Sequence, residues 1–140
     1  MSEPRRRVVL IDDDEEILAL VERVLAASGY DVASLADPLQ AVEFVRAQRP
    51  DVVLCDISMP GLDGYGVVRA LQGDPDTARY PVVFLTANRD FAARVQAFRF
   101  GVVDYVTKPF TRDMLLRKLE RALALTEHRS GVLTGEGGAL

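Results

Sequence analysis

The sequence is poor in the residues that build zinc clusters and nucleophilic dyads. It contains one cysteine, Cys55, and one histidine, His128. A single cysteine cannot form an internal disulfide, and one histidine cannot supply a zinc cluster. These absences exclude zinc hydrolases and nucleophile sites of the Cys/His or Ser/His type.

Long apolar runs and an excess of basic charge are also missing. No run approaches the ~20 apolar residues needed to cross a bilayer, and residues 1–7 lack the apolar stretch of a signal peptide. Lysine and arginine total 17 against 21 acidic residues, a formal net charge of −4. The one basic run, residues 5–7, falls in a predicted tail. We therefore expect a cytoplasmic protein with no membrane partner and no direct nucleic-acid partner.

The length and composition fit one globular domain. The chain has 140 residues, of which 49% are hydrophobic, and a domain of this size buries roughly two-thirds of its unfolded surface. The pattern predicts an N-terminal tail over residues 1–6 and a single domain over residues 7–126. Residues 127–140 hold four glycines without a sustained period, which predicts a flexible tail or linker.

Short apolar runs alternate with helical patterns along the domain. Three unbroken runs rich in β-branched residues, 8–11, 52–55 and 82–85, predict strands covered on both faces. Two weaker runs, 31–35 and 102–106, contain Ser34 and Asp104 and predict edge strands with one partly wet side. Helices are predicted near residues 14–28, 64–72, 89–98 and 111–126, with a further one that opens at Pro38 and carries Leu39.

This alternation predicts an α/β fold. Right-handed crossovers return every strand in the same direction, which gives a parallel five-stranded sheet with helices on both faces. The two edge strands fit the order 2-1-3-4-5, a single flavodoxin-like doubly wound (βα)5 domain. A ligand site in such a sheet lies at the carboxyl ends of the strands, between strands one and three.

Acidic residues directly follow the first and third predicted strands. The first strand runs into Asp12 and Asp13, and the third into Asp56. In the predicted order these carboxylates converge, and their repulsion disfavours the cluster unless a cation binds or one group takes a proton. Oxygen ligands alone suit Mg²⁺, which keeps waters and accepts a phosphate oxygen. Helix capping is the alternative role; it is preferred for residues 14–16 and stays open for Asp12 and Asp13.

Thr86 and Lys108 follow the fourth and fifth predicted strands. Taken singly, such a threonine is a cap or turn residue and such a lysine is solvated. Beside the acids, however, a hydroxyl and an ammonium complete a site for a divalent cation and a phosphoryl group. A compact ammonium fits beside a metal more easily than an arginine fork. Asp56, the most central carboxylate, is then the predicted nucleophile, which would carry the phosphoryl group as an acyl phosphate.

Four motifs give the chain a specific resemblance to a known family. They are residues 9–14, 56–64 (D-I-S-M-P-G-L-D-G), 82–87 (V-V-F-L-T-A) and 104–110 (D-Y-V-T-K-P-F). In order and spacing, residues 7–126 resemble the receiver domain of bacterial two-component response regulators, which includes chemotaxis regulators.

The resemblance implies a phosphoacceptor signalling domain rather than an enzyme, limited to self-phosphotransfer and autodephosphorylation. Asp56 would take a phosphoryl group from the phosphohistidine of a sensor histidine kinase or a histidine phosphotransfer protein. Mg²⁺ would be held by Asp13, Asp56 and the backbone carbonyl of Ser58, with Asp12 acting through a water. Ser58 and Asn88 occupy positions that tune phosphoryl lifetime in the family.

The resemblance also implies a switch. The Thr86 hydroxyl and the Ala87 backbone amide would bond phosphoryl oxygens, Lys108 would pair with another, and the Lys108–Pro109 bond is expected to be cis. Tyr105 matches the switch aromatic of the family, although a role as an amphipathic edge-strand residue stays open.

Phosphorylation is expected to favour a second arrangement of the face formed by the fourth helix, the fifth strand and the fifth helix. An output domain or target protein would bind there. Phe91, Phe98 and Phe100 lie in or just after the fourth helix, and an exposed member of this group is a candidate anchor.

Three other functions are compatible with parts of the pattern. A haloacid dehalogenase-type phosphohydrolase needs a second acid where this chain has Ser58. A nucleotide-binding Rossmann domain needs a different glycine spacing from that of residues 61–66. A receiver-like interaction module that works without phosphorylation would need none of the acidic cluster.

Overall fold

A computed structural model describes residues 5–87 and 91–134 and shows strands and helices alternating along the chain. The five strands are β1 (Arg7–Ile11), β2 (Asp31–Leu35), β3 (Val52–Asp56), β4 (Val82–Thr86) and β5 (Asp104–Thr107). The helices are α1 (Glu15–Ala27), α2 (Ala41–Gln48), α3 (Gly64–Gln72), α4 (Phe91–Arg99) and α5 (Arg112–Thr134).

The strands form one parallel sheet in the order β2-β1-β3-β4-β5. All five strands therefore end at the same edge of the sheet. The strand order reverses at β1, because β2 lies on one side of it and β3 on the other. Val8 of β1, for example, pairs in register with Val32 of β2 and with Val52 of β3. The predicted flavodoxin-like order is confirmed.

Alternate side chains of the inner strands enter two cores, one on each face of the sheet. Val9 and Val53 point to the core that α2, α3 and α4 cover, whereas Leu10 and Leu54 point to the core that α1 and α5 cover. Because both faces are covered, β3 and β4 are buried along their whole length. This double coverage explains why their sequences are unbroken apolar runs.

Aspartates begin two of the helices. The Asp14 carboxylate accepts hydrogen bonds from the backbone N–H groups of Glu16 and Ile17 and caps α1. The Asp63 carboxylate accepts one from Gly66 N–H and caps α3. These bonds satisfy N–H groups that have no partner within the helix. The capping role predicted for Asp14 is confirmed, and Asp63 is a helix cap.

Two details of the predicted helices are wrong, although the second helix opens at Pro38 as predicted. The second helix begins as a 3₁₀ turn over Pro38–Gln40, and Leu39, predicted on its apolar face, is 70% exposed. The last helix continues to Thr134 rather than ending near Thr126. The predicted tail contains four glycines, but only Gly131 precedes this end, and a single helical glycine costs only about 1 kcal/mol.

The fifth strand is more buried than its sequence predicts. Asp104, Tyr105 and Val106 are all buried, so the expected wet side is wrong. The Asp104 carboxylate accepts hydrogen bonds from the Tyr105 backbone N–H at 2.8 Å and from Lys118 Nζ at 3.0 Å. A polar residue in this strand therefore marks a buried ion pair with α5 and not a solvated edge.

The loop that leaves β3 folds back tightly against the strand. Gly64 N–H donates to the carbonyl oxygen of Ile57 at 2.8 Å. A Cβ atom at Gly64 would lie 2.7 Å from the carbonyl oxygen of Asp56 and 2.8 Å from Cα of Ile57. Only glycine permits this approach, which fixes the backbone directly behind Asp56.

We predict that Gly64→Ala lowers the free energy of unfolding by about 1–3 kcal/mol, because the added methyl group forces two backbone segments apart. Gly73→Ala is the matched control, since its new Cβ would meet nothing closer than 3.4 Å, and we expect a change within about 0.5 kcal/mol. Urea unfolding of both variants measures this difference. Equal stabilities of the two variants would contradict the predicted clash.

Candidate phosphoacceptor and metal site

Asp12 and Asp13 follow β1 at the carboxyl edge of the sheet. Asp12 is fully buried, and Asp13 is exposed. The Asp12 backbone N–H donates to the Leu35 carbonyl oxygen at 3.1 Å, and Asp12 Oδ1 accepts from Asp14 N–H at 2.9 Å. The Asp12 carboxylate is thereby held in a fixed orientation between β2 and the start of α1.

Asp56 ends β3, beside β1, and is 6% exposed. Lys108 follows β5 and extends its side chain between the two buried carboxylates. Its Nζ lies 3.2 Å from Asp12 Oδ2 and 3.3 Å from Asp56 Oδ1. The structure therefore brings together residues that are 44 and 52 positions apart in the chain.

The electrostatics of the site follow from burial and from the proximity of like charges. Desolvation raises the pKa of Asp56, and the neighbouring Asp12 raises it further, while Lys108 acts in the opposite direction. Burial of the ammonium acts to lower the pKa of Lys108, but Asp12 and Asp56 outweigh it and raise that pKa above its ordinary value. Lys108 is therefore held in its charged form, and Asp56 holds a proton more readily than an exposed aspartate.

Three carboxylates converge closely enough to share a cation. Asp12, Asp13 and Asp56 each offer one oxygen atom, and these atoms all lie within 4.8 Å of one another. The Lys108 ammonium contacts two of these three carboxylates, Asp12 and Asp56, so the cluster keeps an excess of negative charge. An all-oxygen donor set with residual negative charge fits a hard divalent ion such as Mg²⁺. The convergence predicted for the strand ends is present.

Thr86 and Lys108 are joined through the backbone. Thr86 ends β4 in register with Thr107 of β5, and it is 4% exposed. The Lys108 backbone N–H donates to the Thr86 carbonyl oxygen at 2.6 Å. The Lys108–Pro109 peptide bond is cis, as the resemblance to receiver domains implied.

The remaining predicted site residues lie in the loops that follow the strands. Ser58 is an exposed residue two positions after Asp56, and Ala87 is an exposed residue directly after Thr86. Asn88 lies outside the described residues, as does the side chain of Phe91.

Tyr105 of β5 is buried beneath an arginine of α4. The Tyr105 residue is 3% exposed, and Arg94 Cζ lies 5.5 Å from the centre of its ring. This distance is in the range of a cation–π contact. Sequence reasoning missed Arg94 and the Lys118 partner of Asp104. The spacing of Arg94 and Phe98, four residues apart on one helix, is the only signal that could have indicated a shared face.

Comparisons with known proteins identify the family of this chain. The family model described as the response regulator receiver domain matches residues 8–120. The DNA-binding response regulator MtrA of Mycolicibacterium smegmatis is 36% identical over 127 residues, which cover 91% of this chain and 54% of that protein. The "Probable transcriptional regulator ycf27" of Guillardia theta is 36% identical over 124 residues, covering 89% of this chain and 48% of that protein. The chain thus spans about half the length of these relatives.

A solved receiver domain with a similar fold holds a metal ion. The receiver domain of the sensor histidine kinase PA1611 from Pseudomonas aeruginosa superposes with a TM-score of 0.78 at 34% identity, covering 86% of this chain and 99% of that one. It was crystallised with a magnesium ion coordinated in its active-site cleft.

Within residues 5–87 and 91–134, no helix combines the length and hydrophobicity needed to cross a bilayer.

The strand order, the acidic cluster and the match over residues 8–120 lead to one assignment. This chain belongs to the response regulator receiver domain family, whose members act in two-component signalling.

Proposed function

We propose that Asp56 accepts a phosphoryl group from the phosphohistidine of a sensor histidine kinase or a histidine phosphotransfer protein. The observation that carries this proposal is the position of the Lys108 ammonium, 3.2 Å from Asp12 and 3.3 Å from Asp56. This ammonium faces both the nucleophile and the acids that would hold a metal. The domain acts as a phosphoacceptor that signals, and its only covalent chemistry is self-phosphotransfer and autodephosphorylation.

The transfer exchanges one bond to phosphorus for another. A carboxylate oxygen of Asp56 bonds to the phosphorus atom while the phosphorus–nitrogen bond breaks, and the departing histidine nitrogen keeps that electron pair. Such a transfer asks the protein for alignment and for neutralisation of charge on the equatorial oxygens. Lys108 supplies one positive charge, and the Thr86 hydroxyl and Ala87 amide supply hydrogen bonds.

The carboxylates fit a Mg²⁺ cofactor. We infer that Asp13, Asp56 and the Ser58 carbonyl hold the ion, with Asp12 acting through a water. When bound, Mg²⁺ would offset the repulsion among the acids and the charge on the phosphoryl oxygens. Lys108 is already paired with Asp12 and Asp56, so it complements the ion and does not replace it.

The signal would pass to the face formed by α4, β5 and α5. A bound phosphoryl group adds negative charge that draws Thr86 toward it, and Tyr105 responds to the space this leaves. Both residues are buried, at 4% and 3% exposure, and Tyr105 lies on β5, directly under α4. An output domain or target protein, and not a nucleic acid or a membrane, would bind this face. The cytoplasmic location stays a prediction.

We predict that Asp56→Asn abolishes labelling by radiolabelled acetyl phosphate in the presence of Mg²⁺, because an amide is not a nucleophile toward phosphorus. Asp63→Asn is the matched control, since it removes a carboxylate from the same loop while an asparagine can still cap α3. Phosphate retained on the protein is measured after gel separation. Labelling of Asp56→Asn at the wild-type level would place the acceptor elsewhere.

Two other results would favour the alternative functions. An unlabelled wild type would favour an interaction module that works without phosphate, and sustained release of phosphate from phosphomonoesters would favour a phosphohydrolase.

We predict that Asp56→Asn also raises the free energy of unfolding at pH 7, by about 1.4 kcal/mol for each unit by which folding raises the pKa of Asp56. The folded state raises the pKa of Asp56 above its unfolded value, so ionised Asp56 costs stability above the folded pKa. That cost disappears below the unfolded pKa of about 3.9. The stability advantage of Asp56→Asn over the wild type should therefore shrink as the pH falls from the folded pKa of Asp56 to its unfolded pKa.

Excess Mg²⁺ should stabilise the wild type more than Asp56→Asn, because it binds the folded cluster. Asp37→Asn, which removes one exposed charge elsewhere, is the control in both experiments. Chemical unfolding with and without Mg²⁺ measures each difference. A less stable Asp56→Asn protein, or an equal gain from Mg²⁺ in both proteins, would contradict this account of the cluster.

We predict that Lys108→Ala still takes up phosphate from acetyl phosphate but signals poorly. The nucleophile and the acidic cluster stay in place, whereas the ammonium that would pair with a phosphoryl oxygen is lost. The measurement is the change in the backbone amide resonances of Thr86 and Tyr105 on labelling, which should be reduced in the variant. Changes equal to those of the wild type would exclude Lys108 from the switch.

A further inference from the structure

Phe100, which directly follows α4, is held by three residues of α3. Its ring lies 4.8 Å from the ring of Tyr65 in an edge-to-face arrangement, and Arg69 Cζ lies 5.3 Å from its centre. The Phe100 carbonyl oxygen accepts a hydrogen bond from Gln72 Nε2 at 2.9 Å. Ring pairs and cation–π contacts at these distances are favourable. We call these four residues the α3–α4 clamp.

The spacing of the three α3 residues explains why they meet one partner. Tyr65, Arg69 and Gln72 are four and three positions apart, so they lie along one face of the helix. Phe100 is half-buried and packs against the core that α2, α3 and α4 cover. The clamp is therefore a contact between one face of α3 and the residue that follows α4.

A defined backbone motif ends α4 at the clamp. Gly101 N–H donates to the Phe98 carbonyl oxygen at 3.0 Å, and Val102 N–H donates to the Ala97 carbonyl oxygen at 3.4 Å. Gly101 has a φ of +101°, as the residue after the helix adopts in such a Schellman motif. A Cβ atom at Gly101 would lie 2.8 Å from Gln72 Nε2. Glycine here therefore serves both the end of the helix and the clamp.

Burial along α4 is concentrated near the same end. Of residues 92–99, whose side chains the structure describes, only Ala97 is buried. Phe98, which the sequence offered as a candidate anchor, is 46% exposed. A segment with few buried apolar contacts opens more easily than one packed in the core. The amino-terminal half of α4, residues 92–96, is therefore held less tightly than the end at Phe100.

The clamp also ties the end of α4 to the phosphoacceptor. Helix α3 begins at Gly64, which packs directly behind Asp56, and ends at Gln72, which bonds to Phe100. Its 9 residues span about 13 Å. Because a helix transmits position as a rigid element, α3 fixes Phe100 relative to Asp56.

We propose that the α3–α4 clamp is a hinge, and that α4 rearranges by rotation about Phe100 while its carboxyl end stays in place. Tyr65, Arg69 and Gln72 are then positioning residues that act through Phe100. This inference rests on the proposed phosphorylation-dependent rearrangement of the face that contains α4. It names the residues that determine which part of the helix moves.

A hinge at Phe100 makes the displacement grow toward the amino end of α4. Ala92 precedes Phe100 by 8 residues, which is about 12 Å along the helix axis. A rotation of about 10° would move Ala92 by roughly 2 Å, the scale of helix shifts in switching proteins. The same rotation would move Arg99 by only about 0.3 Å.

Sliding of the whole helix is a less favourable motion. It would break the hydrogen bond from Gln72 and separate the Phe100 ring from Tyr65 and Arg69. Rotation about Phe100 keeps all three contacts and disturbs only the half of α4 that is held less tightly. The contacts of the clamp therefore favour rotation over sliding.

The test measures distances in the full chain by double electron–electron resonance between pairs of spin labels. One label is placed on α4, through Ala92→Cys or Arg99→Cys, and the other on a reference helix, through Ala26→Cys in α1 or Ala47→Cys in α2. All four positions are exposed, and the native Cys55 is fully buried and stays unlabelled. The two reference helices view α4 from opposite faces of the sheet.

We expect acetyl phosphate with Mg²⁺ to move the label at position 92 and to leave the label at position 99 in place. At least one distance to position 92 should change by roughly 2 Å, and both distances to position 99 should stay within about 0.5 Å. In Phe100→Leu, which loses both ring contacts, the distances to position 99 should be more broadly distributed than in the wild type. Phe98→Leu makes the same change at an exposed position of α4 outside the clamp and should leave these distributions unchanged.

Amide hydrogen exchange tests the clamp without phosphorylation. After correction for intrinsic rates, the Gly101 N–H should exchange roughly tenfold faster in Phe100→Leu than in the wild type. In Phe98→Leu its rate should stay within about twofold. Tyr65→Leu should behave as Phe100→Leu does, whereas Tyr65→Phe keeps the ring and should exchange as the wild type does.

A second pair of variants tests the hydrogen bond of the clamp. Gln72→Glu replaces the amide donor by a carboxylate that cannot donate to the Phe100 carbonyl oxygen, so the Gly101 N–H should exchange roughly tenfold faster. Gln96→Glu makes the same change at an exposed position of α4 and should leave the rate within about twofold.

Four results would overturn the hinge and leave Asp56 as the acceptor. They are equal exchange in Phe100→Leu and Phe98→Leu, equal exchange in Tyr65→Leu and Tyr65→Phe, a labelled wild type whose position 99 moves as far as position 92, and a labelled wild type in which neither position moves. A wild type that takes no label would contradict the role of Asp56. The distances to position 99 then decide the hinge: a broader distribution in Phe100→Leu supports it, and equal widths overturn it.

Discussion

The site depends on one buried ammonium placed between two buried carboxylates. Removing two carboxylates from water costs several kcal/mol each, and their mutual repulsion adds to that cost. Lys108 Nζ offsets part of it through contacts of 3.2 and 3.3 Å with Asp12 and Asp56. The compensation is incomplete, because one ammonium is shared by two buried carboxylates and Asp13 lies close to both. Desolvation and the charge of Asp12 therefore still raise the pKa of Asp56. This residual negative charge is what makes the cluster receptive to a cation.

The parallel sheet is what gathers these groups. Asp12 directly follows β1 and Asp56 ends the adjacent β3, while Thr86 ends β4 and Lys108 directly follows β5. The 2.6 Å hydrogen bond from Lys108 N–H to the Thr86 carbonyl fixes where the lysine side chain begins. Gly64 lets the loop after β3 pack directly against the strand, because a Cβ atom at this position would meet the carbonyl oxygen of Asp56. Backbone contacts therefore fix the positions of the residues whose side chains form the site.

The sequence could predict the site more completely than it could predict the edges of the fold. Strand order and unbroken apolar runs determine which residues reach the carboxyl edge, so Asp12, Asp56 and Lys108 could be brought together without coordinates. The burial of Asp104 could not be predicted, because its partner Lys118 lies 14 residues away on a helix whose rotation about its axis is set by packing. The contact of Arg94 with Tyr105 could not be predicted for the same reason, because it depends on how α4 packs on β5.

The position of β5 explains how a charge change at the site could reach a binding surface. Lys108 directly follows the strand and contacts Asp56, while Tyr105 lies within the strand beneath Arg94. A phosphoryl group on Asp56 would therefore act next to the end of a four-residue strand that also carries Tyr105 and its contact with α4. It would compete with Asp12 for the Lys108 ammonium, which now contacts both buried carboxylates. Because Lys108 and Arg94 are different cations with different partners, an effect of the phosphoryl group on Arg94 would pass through the packing of β5 and Tyr105 and not through direct charge attraction.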